Sequence, residues 1–262
     1  MITTLRADLD HFGLGTCETN RQKQDINLHH FSTNSRYGLS MREAVLFDIH
    51  GNIDALEAVL VDAREAGCEG LLLGGDYALL GPAPDDVVDL LREQPGSVRA
   101  IRGNTDRMIL WYEGDEARWA ADRLGDERVQ WLRNMPERLA LPEHDALLVH
   151  ATPRSDEERL KRTYSTTRVA SMLAGVTQST LLCGHIHKQY RRQVGSIEVV
   201  NPGAVGFPYD GKKSAAWAII DDGEIELRRT KYNVKRALAR LEAIPSKPER
   251  SLAIRRLRTA HS

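Results

Sequence analysis

Apolar residues in this chain fall into short runs, each closed by a polar residue. Ala44-Val45-Leu46-Phe47 ends at Asp48, Gly70-Leu71-Leu72-Leu73 closes at Gly74-Gly75-Asp76, and Val98-Arg99-Ala100-Ile101 ends at Gly103-Asn104. Short apolar runs bounded by turn residues predict buried strands. Between the first two, Ile53, Leu56, Val59, Leu60 and Ala63 recur on one helical face and predict a helix over 52–66, stopped by Gly67. Pro82 and Pro84 followed by Asp85 and Asp86 predict a second helix, about 85–94, with acidic residues at its positive end. Strand, helix, strand, helix, strand in this order is the pattern of a parallel sheet with crossover helices.

The stretch 106–134 reads as helical and carries Trp111, Trp119 and Trp131. Beyond Pro136 the pattern turns to strands. Residues 139–141 and 146–149 form an expected strand pair, followed by a helix at 166–174 and a strand at 179–183. Shorter strands are expected at 189–194, 196–200, 215–221 and 224–231, with turns at Gly195 and Asp222-Gly223. A last helix spans 233–243. The fold class expected is α/β, with two sheets packed face to face and helices outside. Residues 1–40 are polar and lack period, and are expected to be a disordered leader, with Met41 as the simplest true start. The domain then covers 41–244, and 245–262 is expected to be a basic flexible tail.

Composition narrows the function classes. Of 262 residues 41% are hydrophobic and 28% charged, and the net charge is −1, so no whole-protein field draws the chain to nucleic acid or an acidic membrane. No apolar run approaches the roughly 18 residues of a membrane span, and the N-terminus has no signal-peptide pattern. Cys17, Cys68 and Cys183 form neither a CxxC pair nor a disulfide framework, which makes a reducing cytoplasm the expected location.

The chemistry lies where the runs end. Asp48, Asp76, Asn104 and His150 each stand at or just past the end of an apolar run, and His185 follows another after Cys183-Gly184. In open α/β sheets the carboxyl ends of strands form the ligand crevice. In Asp48-Ile49-His50 and His185-Ile186-His187, residues two apart in extended chain point the same way and can grip neighbouring ions. Asn52 is placed to cap the helix that follows. The Asp76 carboxylate has two oxygens and can bridge two ions at the spacing of two-metal hydrolases, about 3.5–4 Å. Asn104 adds a neutral oxygen, and His150 a nitrogen. Taken singly, each has an ordinary reading as a helix cap, a turn or a structural histidine. Taken together, five strand ends would have to coincide by chance. Mixed nitrogen and oxygen donors suit Mn, Fe, Zn, Co or Ni better than Ca or Mg alone, and the lack of cysteine argues against a structural zinc cluster.

The order Asp48-x-His50, Gly75-Asp76, Gly103-Asn104-x-Asp106, His150, Gly184-His185-x-His187 resembles the calcineurin-like metallophosphoesterases. The match runs from about Met41 to Lys231, and Asn201-Pro202-Gly203 is similar to the small bacterial and archaeal phosphodiesterase branch. The resemblance implies a four-layer αββα sandwich of two mixed sheets. It implies two divalent ions, manganese foremost with Fe, Zn, Ni, Co or Mg as alternatives. Asp48, His50 and His187 would hold one ion, Asn104, His150 and His185 the other, and Asp76 would bridge them with a hydroxide that attacks phosphorus. It makes Asp76, Asn104, His150 and Asp48 the catalytic set.

One departure matters. Many family members carry His where this chain has Thr105, and that His is thought to protonate the leaving group. A threonine hydroxyl is a poor general acid. Another group or water then supplies the proton, or the leaving group departs unaided. This tilts the expectation toward diesters over monoesters. Phe47 stands where the family often has Ser, and is expected to change only packing. Asn104, Thr105 and Arg107 are the expected substrate contacts, although arginines such as Arg102, Arg107 and Arg154 are commonly just solvated. Phe207 and Tyr209 fit an apolar wall or the core equally. The expected partner is a small phosphate ester or nucleotide, with neither membrane nor nucleic acid, and a homo-oligomer is compatible with the sequence. Competing readings are a protein phosphatase or dinucleotide-polyphosphate hydrolase with the same centre, and a non-enzymatic binding scaffold.

Overall fold

The structure, a computed structural model, describes residues 42–244 and 248–262. Expectations for residues 1–40, for Met41 as a start and for 245–247 lie outside the described residues.

The first sheet is built from β1 (Glu43–Leu46), β2 (Gly70–Leu73), β3 (Ser97–Ala100), β9 (Ala215–Asp221) and β10 (Glu224–Thr230), in the order β10-β9-β1-β2-β3. β1, β2 and β3 are parallel, with Val45 opposite Leu72 and Leu72 opposite Arg99. β9 returns antiparallel to β1. The β9–β10 hairpin turns at Asp222 and Gly223, both at positive φ (48° and 79°), as a tight hairpin turn requires. The second sheet holds β4 (Arg138–Leu141), β5 (Ala146–Val149), β6 (Thr180–Leu182), β7 (Tyr190–Val194) and β8 (Ile197–Asn201), in the order β4-β5-β6-β8-β7. β5, β6 and β8 are parallel, and β4 and β7 are antiparallel edges.

Alternation along the strands builds the layers. In the first sheet Val45, Leu72, Ala218 and Ile220 face Leu148, Leu182 and Val200 of the second and form the middle of the sandwich. The intervening Ala44, Leu46, Leu71, Leu73, Trp217 and Ile219 face outward to α1 (Ile53–Glu65), α2 (Pro84–Arg92), α3 (Asn104–Leu110) and α4 (Asp115–Arg133). On the other side Val149, Leu181 and Val199 pack with α5 (Thr166–Met172). This is the expected αββα arrangement. Asn52 caps α1 as expected, its Oδ1 accepting from Ala55 N–H at 3.2 Å. No helix among the described residues is long and apolar enough to cross a membrane.

The stretch 106–134 is helical as expected, in two helices: α3 starts at Asn104, the chain breaks at Tyr112 and Gly114, and α4 kinks at Gly125 (φ 67°). One expectation needs correction. The C-terminal segment is not a free tail. After α6 (Val234–Ala243) the chain forms α7 (Pro248–Thr259), whose Ala253 and Leu257, with Ala260 just beyond it, are buried. Ala253 and Leu257 are four residues apart and share one face. They pack with Phe207, Ala237 and Leu241. The small apolar stripe docks the helix; Arg255 and Arg258 stay exposed, while Arg250 is buried and Arg256 half-buried.

Candidate metal centre

The loops leaving β1, β2, β3, β5 and β6 bring seven side chains together. Asp48 and His50 follow β1, Asp76 follows β2, Asn104 opens α3 behind β3, His150 directly follows β5, and His185 and His187 follow β6. Asp76 Oδ2 lies 3.6 Å from His50 Nε2 and 3.4 Å from His150 Nε2, midway between two groups. On one side His187 Nε2 lies 3.5 Å from Asp48 Oδ1 and 3.2 Å from His50 Nε2. On the other, Asn104 Oδ1 lies 3.0 Å from His150 Nε2 and 3.1 Å from His185 Nδ1.

Five of these seven residues sit at positive φ: Asp48 (54°), His50 (49°), Asp76 (63°), His185 (66°) and His187 (55°). Left-handed backbone at a non-glycine residue costs on the order of 1–3 kcal/mol, and such strain collects where function needs it. Backbone bonds between the loops hold the strain in place. Asp48 N–H donates to Gly75 O at 3.1 Å, His50 N–H to Asp76 O at 2.9 Å, and Gly184 N–H to His150 O at 2.7 Å.

The donor set fits divalent metal on two observations. First, His50 Nδ1 meets Leu79 O at 2.9 Å, His150 Nδ1 meets Gly74 O at 2.8 Å, and His187 Nδ1 meets Phe207 O at 2.6 Å. A carbonyl only accepts, so each Nδ1 carries a proton, and in the neutral rings of His50 and His187 the Nε2 lone pair turns inward. Carbonyl bonds of this kind orient metal-binding imidazoles. Two such lone pairs, on His50 and His187, then face each other at 3.2 Å, which is repulsive unless a cation lies between them. Second, Asp48 is fully buried and its Oδ1 has no hydrogen-bond partner. Asp48, His50 and His187 form one buried three-donor group, and Asp48, Asp76 and His150 another.

Electrostatics agree. Burial holds His50 down to about 4 and His187 well below the ordinary imidazole range, so both rings are neutral donors. Burial and the nearby His150 also lower His185. Burial pushes the Asp48 carboxyl up; His150 opposes this and Asp76 adds to it. Burial alone would also raise Asp76 and lower His150. The attraction between the two overrides it, taking Asp76 well below the carboxylate range and His150 up to about 10. Without metal, a proton on His150 is the counter-charge that a divalent cation would replace.

Several supporting groups were not singled out by sequence reasoning. Asp106 is fully buried, and its carboxylate accepts from Asp76 N–H (2.8 Å), Tyr77 N–H (3.0 Å) and Gly103 N–H (2.8 Å). Burial and the Asp76 charge push its carboxyl up to about 7, against the pull of those three donors. Asp106→Ala leaves three buried N–H groups without an acceptor, and should cost at least about 3 kcal/mol, read as a lower urea midpoint together with poorer metal retention. Unchanged stability would show that water takes over the carboxylate's bonds. Gly103 is needed for close approach, because a Cβ there would lie 2.2 Å from Asp76 Oδ1. The Phe47 ring likewise fills the space beside Gly74 and Gly184, where added Cβ atoms would meet it at 2.0 and 2.3 Å. Asn201 Nδ2 donates to Gly184 O at 2.8 Å and steadies the His185–His187 turn. Asp106, Gly103, Gly184 and Asn201 left a trace in the sequence as parts of the quoted motifs, and Phe47 was expected to affect packing, but none was assigned this supporting role.

The expected substrate contacts fare differently. Asn104 is in the centre. Thr105 is nearly buried; its N–H donates to Asp76 Oδ1 at 2.9 Å and its hydroxyl is buried without a partner. Arg107 is not free to meet a substrate. Its guanidinium is held by Asp156 (2.8 Å), Glu157 (2.6 Å) and Glu113 (3.3 Å), so it braces the loop after β5. Arg154 is paired with Glu158, and Arg102 with Glu137. Phe207 is in the core against α6 and α7, while Tyr209 stacks on His187 at 4.2 Å with an 8° tilt.

Comparison with known proteins identifies the family and the fold. Residues 41–223 match the model of the calcineurin-like phosphoesterase superfamily domain. The chain is 28% identical to phosphodiesterase YfcE of Escherichia coli over 184 residues, 67% of this chain and 84% of that one. It is 31% identical over 133 residues to the symmetrical bis(5'-nucleosyl)-tetraphosphatase of Yersinia pestis, 46% of each. A metallophosphoesterase of Sphaerobacter thermophilus superposes with a TM-score of 0.71 at 24% identity, covering 84% of this chain and 99% of that one, which supports the fold. The chain belongs to the calcineurin-like phosphoesterase superfamily and is a phosphoric ester hydrolase of that family.

Proposed function

We propose that the protein is a two-metal phosphodiesterase, with Asp48, His50 and His187 holding one ion, Asn104, His150 and His185 the other, and Asp76 shared between them. The observation that carries this reading is the position of Asp76 Oδ2, within 3.6 Å of imidazole nitrogens on both sides. Two bound divalent ions supply a water of lowered pKa and neutralise charge growing on phosphoryl oxygens. The chain's residues do the rest. The Leu79, Gly74 and Phe207 carbonyls keep three imidazoles in the donor tautomer. The Thr105 N–H fixes the Asp76 carboxylate by its Oδ1 and leaves Oδ2 for the centre. Asp106 ties the Asp76 backbone to the start of α3, so the second and third strand ends move as one unit.

Diesters are favoured because no titrating side chain occupies position 105. A monoester dianion with a poor leaving group needs a proton donor, and the buried Thr105 hydroxyl is not one. The test is to strip the protein and reload it separately with Mn, Ni, Co, Zn and Mg. Each form is assayed on bis(p-nitrophenyl) phosphate and p-nitrophenyl phosphate. The diester should turn over faster, by about tenfold or more in kcat/KM, a difference of about 1.4 kcal/mol, with manganese among the best metals. Faster monoester turnover with every metal would overturn the diester preference. The binding-scaffold alternative fits poorly, since all seven donors are retained.

A further inference from the structure

A cavity of about 590 Å³ opens beside the centre and counts His185 among its lining residues. The segment 159–163 forms one wall, the start of β7 with Tyr209 another, and the end of α7 a third. Five cations line it: Arg159, Lys161, Arg162, Lys188 and Arg256. Its one side-chain carboxylate, Asp210, is already taken by Arg229. None of the five cations has a carboxylate partner among the described residues. A second cavity of about 450 Å³, on the His150 side, contrasts with it. There Arg107 and Arg154 are neutralised by Asp156, Glu157 and Glu158. Among the described residues Arg138 is the one cation there without a carboxylate partner, so most of the uncompensated charge of these two cavities lies on the His185 side.

Arg256 is the most confined of the five. Its Nε is buried with no hydrogen-bond partner, and its guanidinium lies 5.3 Å from the centre of the Tyr209 ring. Tyr209 stacks on His187, so Arg256, Tyr209 and a proposed metal ligand form one continuous pile. The charges of Arg256 and Arg159 are felt at Tyr209, and that of Arg256 at His50. A buried N–H with no acceptor is costly, and an anionic oxygen delivered by a ligand removes that cost.

We propose that this cavity is a second anion subsite, in which Arg256 of α7, with Lys188 and Arg159, holds further phosphate groups of a small substrate whose scissile phosphorus lies at the metal centre. The substrate class is a phosphoanhydride carrying several phosphates, and the proposal rests on the phosphoesterase reading. The volume suits a small molecule rather than a nucleic-acid strand. Guanidinium forks match phosphate oxygens, and a neutral aryl group would leave five cations without a partner. The chemistry also accounts for Thr105. Water oxygen bonds to phosphorus, the anhydride P–O bond breaks, and its electron pair goes to the leaving phosphate oxygen. The water's proton goes to solvent. With a phosphate pKa of about 6, that leaving oxygen needs no proton at neutral pH, only the cations of the subsite.

Calorimetry on the manganese-loaded full chain tests this. Inorganic phosphate and inorganic tripolyphosphate are titrated separately, and metal content is measured after each titration. Wild-type protein should bind tripolyphosphate at least about tenfold more tightly than phosphate. Arg256→Gln should lose about tenfold in tripolyphosphate affinity, the worth of one charge-assisted hydrogen bond, and keep its phosphate affinity within about twofold. Lys188→Gln, at an exposed position on the opposite wall, should show the same pattern more weakly. Equal losses for both anions, or no loss of tripolyphosphate affinity in either variant, would overturn the subsite. A wild type that hydrolyses no ester with any metal, yet binds tripolyphosphate through Arg256, would retain the subsite and overturn the phosphoesterase reading instead.

Discussion

Asp76→Asn should lower kcat on the order of a thousandfold or more, about 4 kcal/mol of barrier, while the fold survives. The substitution keeps the shape of the side chain. Its remaining amide oxygen can still accept the Thr105 N–H that now meets Asp76 Oδ1 at 2.9 Å. What changes is the other atom. An NH2 group would replace Oδ2, the oxygen within 3.6 Å of His50 Nε2 and 3.4 Å of His150 Nε2. A shared negative ligand becomes a neutral donor aimed at the metals. His150 also loses its strongest favourable charge partner, the one that holds its pKa at about 10. Steady-state kinetics with bis(p-nitrophenyl) phosphate, alongside circular dichroism, read both parts of the expectation. A variant that kept more than about a tenth of wild-type turnover would remove Asp76 from the catalytic set. A protein using the sandwich only as a scaffold would keep its partner in this variant.

Removing the metals should cost the protein stability as well as turnover. Without them Asp48 Oδ1 is buried with no partner, and the His50 and His187 lone pairs face each other at 3.2 Å. Five ligand residues also stay in left-handed backbone with nothing gained at their side chains. Metal at a hundredfold excess over its dissociation constant contributes about 2.7 kcal/mol. In a chain of this size that corresponds to a rise in melting temperature of roughly 5–10 °C. Scanning calorimetry on stripped and manganese-reloaded protein, at matched pH and ionic strength, provides the comparison. Identical melting curves would mean that the cluster holds no metal in the folded state.

The strand ends were legible because chemistry changes sharply there. A run such as Gly70–Leu73 is uniformly apolar, and Asp76 three residues later is set off from it by two glycines. The crossover pattern then implied parallel strands, and parallel strands put their carboxyl ends on one side. The backbone strain was not legible: nothing local distinguishes an Asp at φ 63° from one in an ordinary turn. The helical reading of 106–134 did not locate its breaks, because isolated glycines such as Gly114 and Gly125 are tolerated within a helical pattern. α7 was hidden for a different reason. Its buried stripe is carried by Ala253 and Leu257 within a strongly basic run, and the charge masks the period. Arg107 shows the limit of reading roles from neighbours in sequence. It stands beside a ligand motif, but the carboxylates that claim it come 49 and 50 residues later, on a loop with no motif of its own.

The most direct measurement is anomalous X-ray scattering from crystals of the manganese-loaded protein, collected on either side of the metal edge. Two peaks separated by about 3.5–4 Å are expected, with Asp76 between them, His50 and His187 on one, and His150, His185 and Asn104 on the other. A single peak, or peaks away from Asp76, would contradict the dinuclear centre.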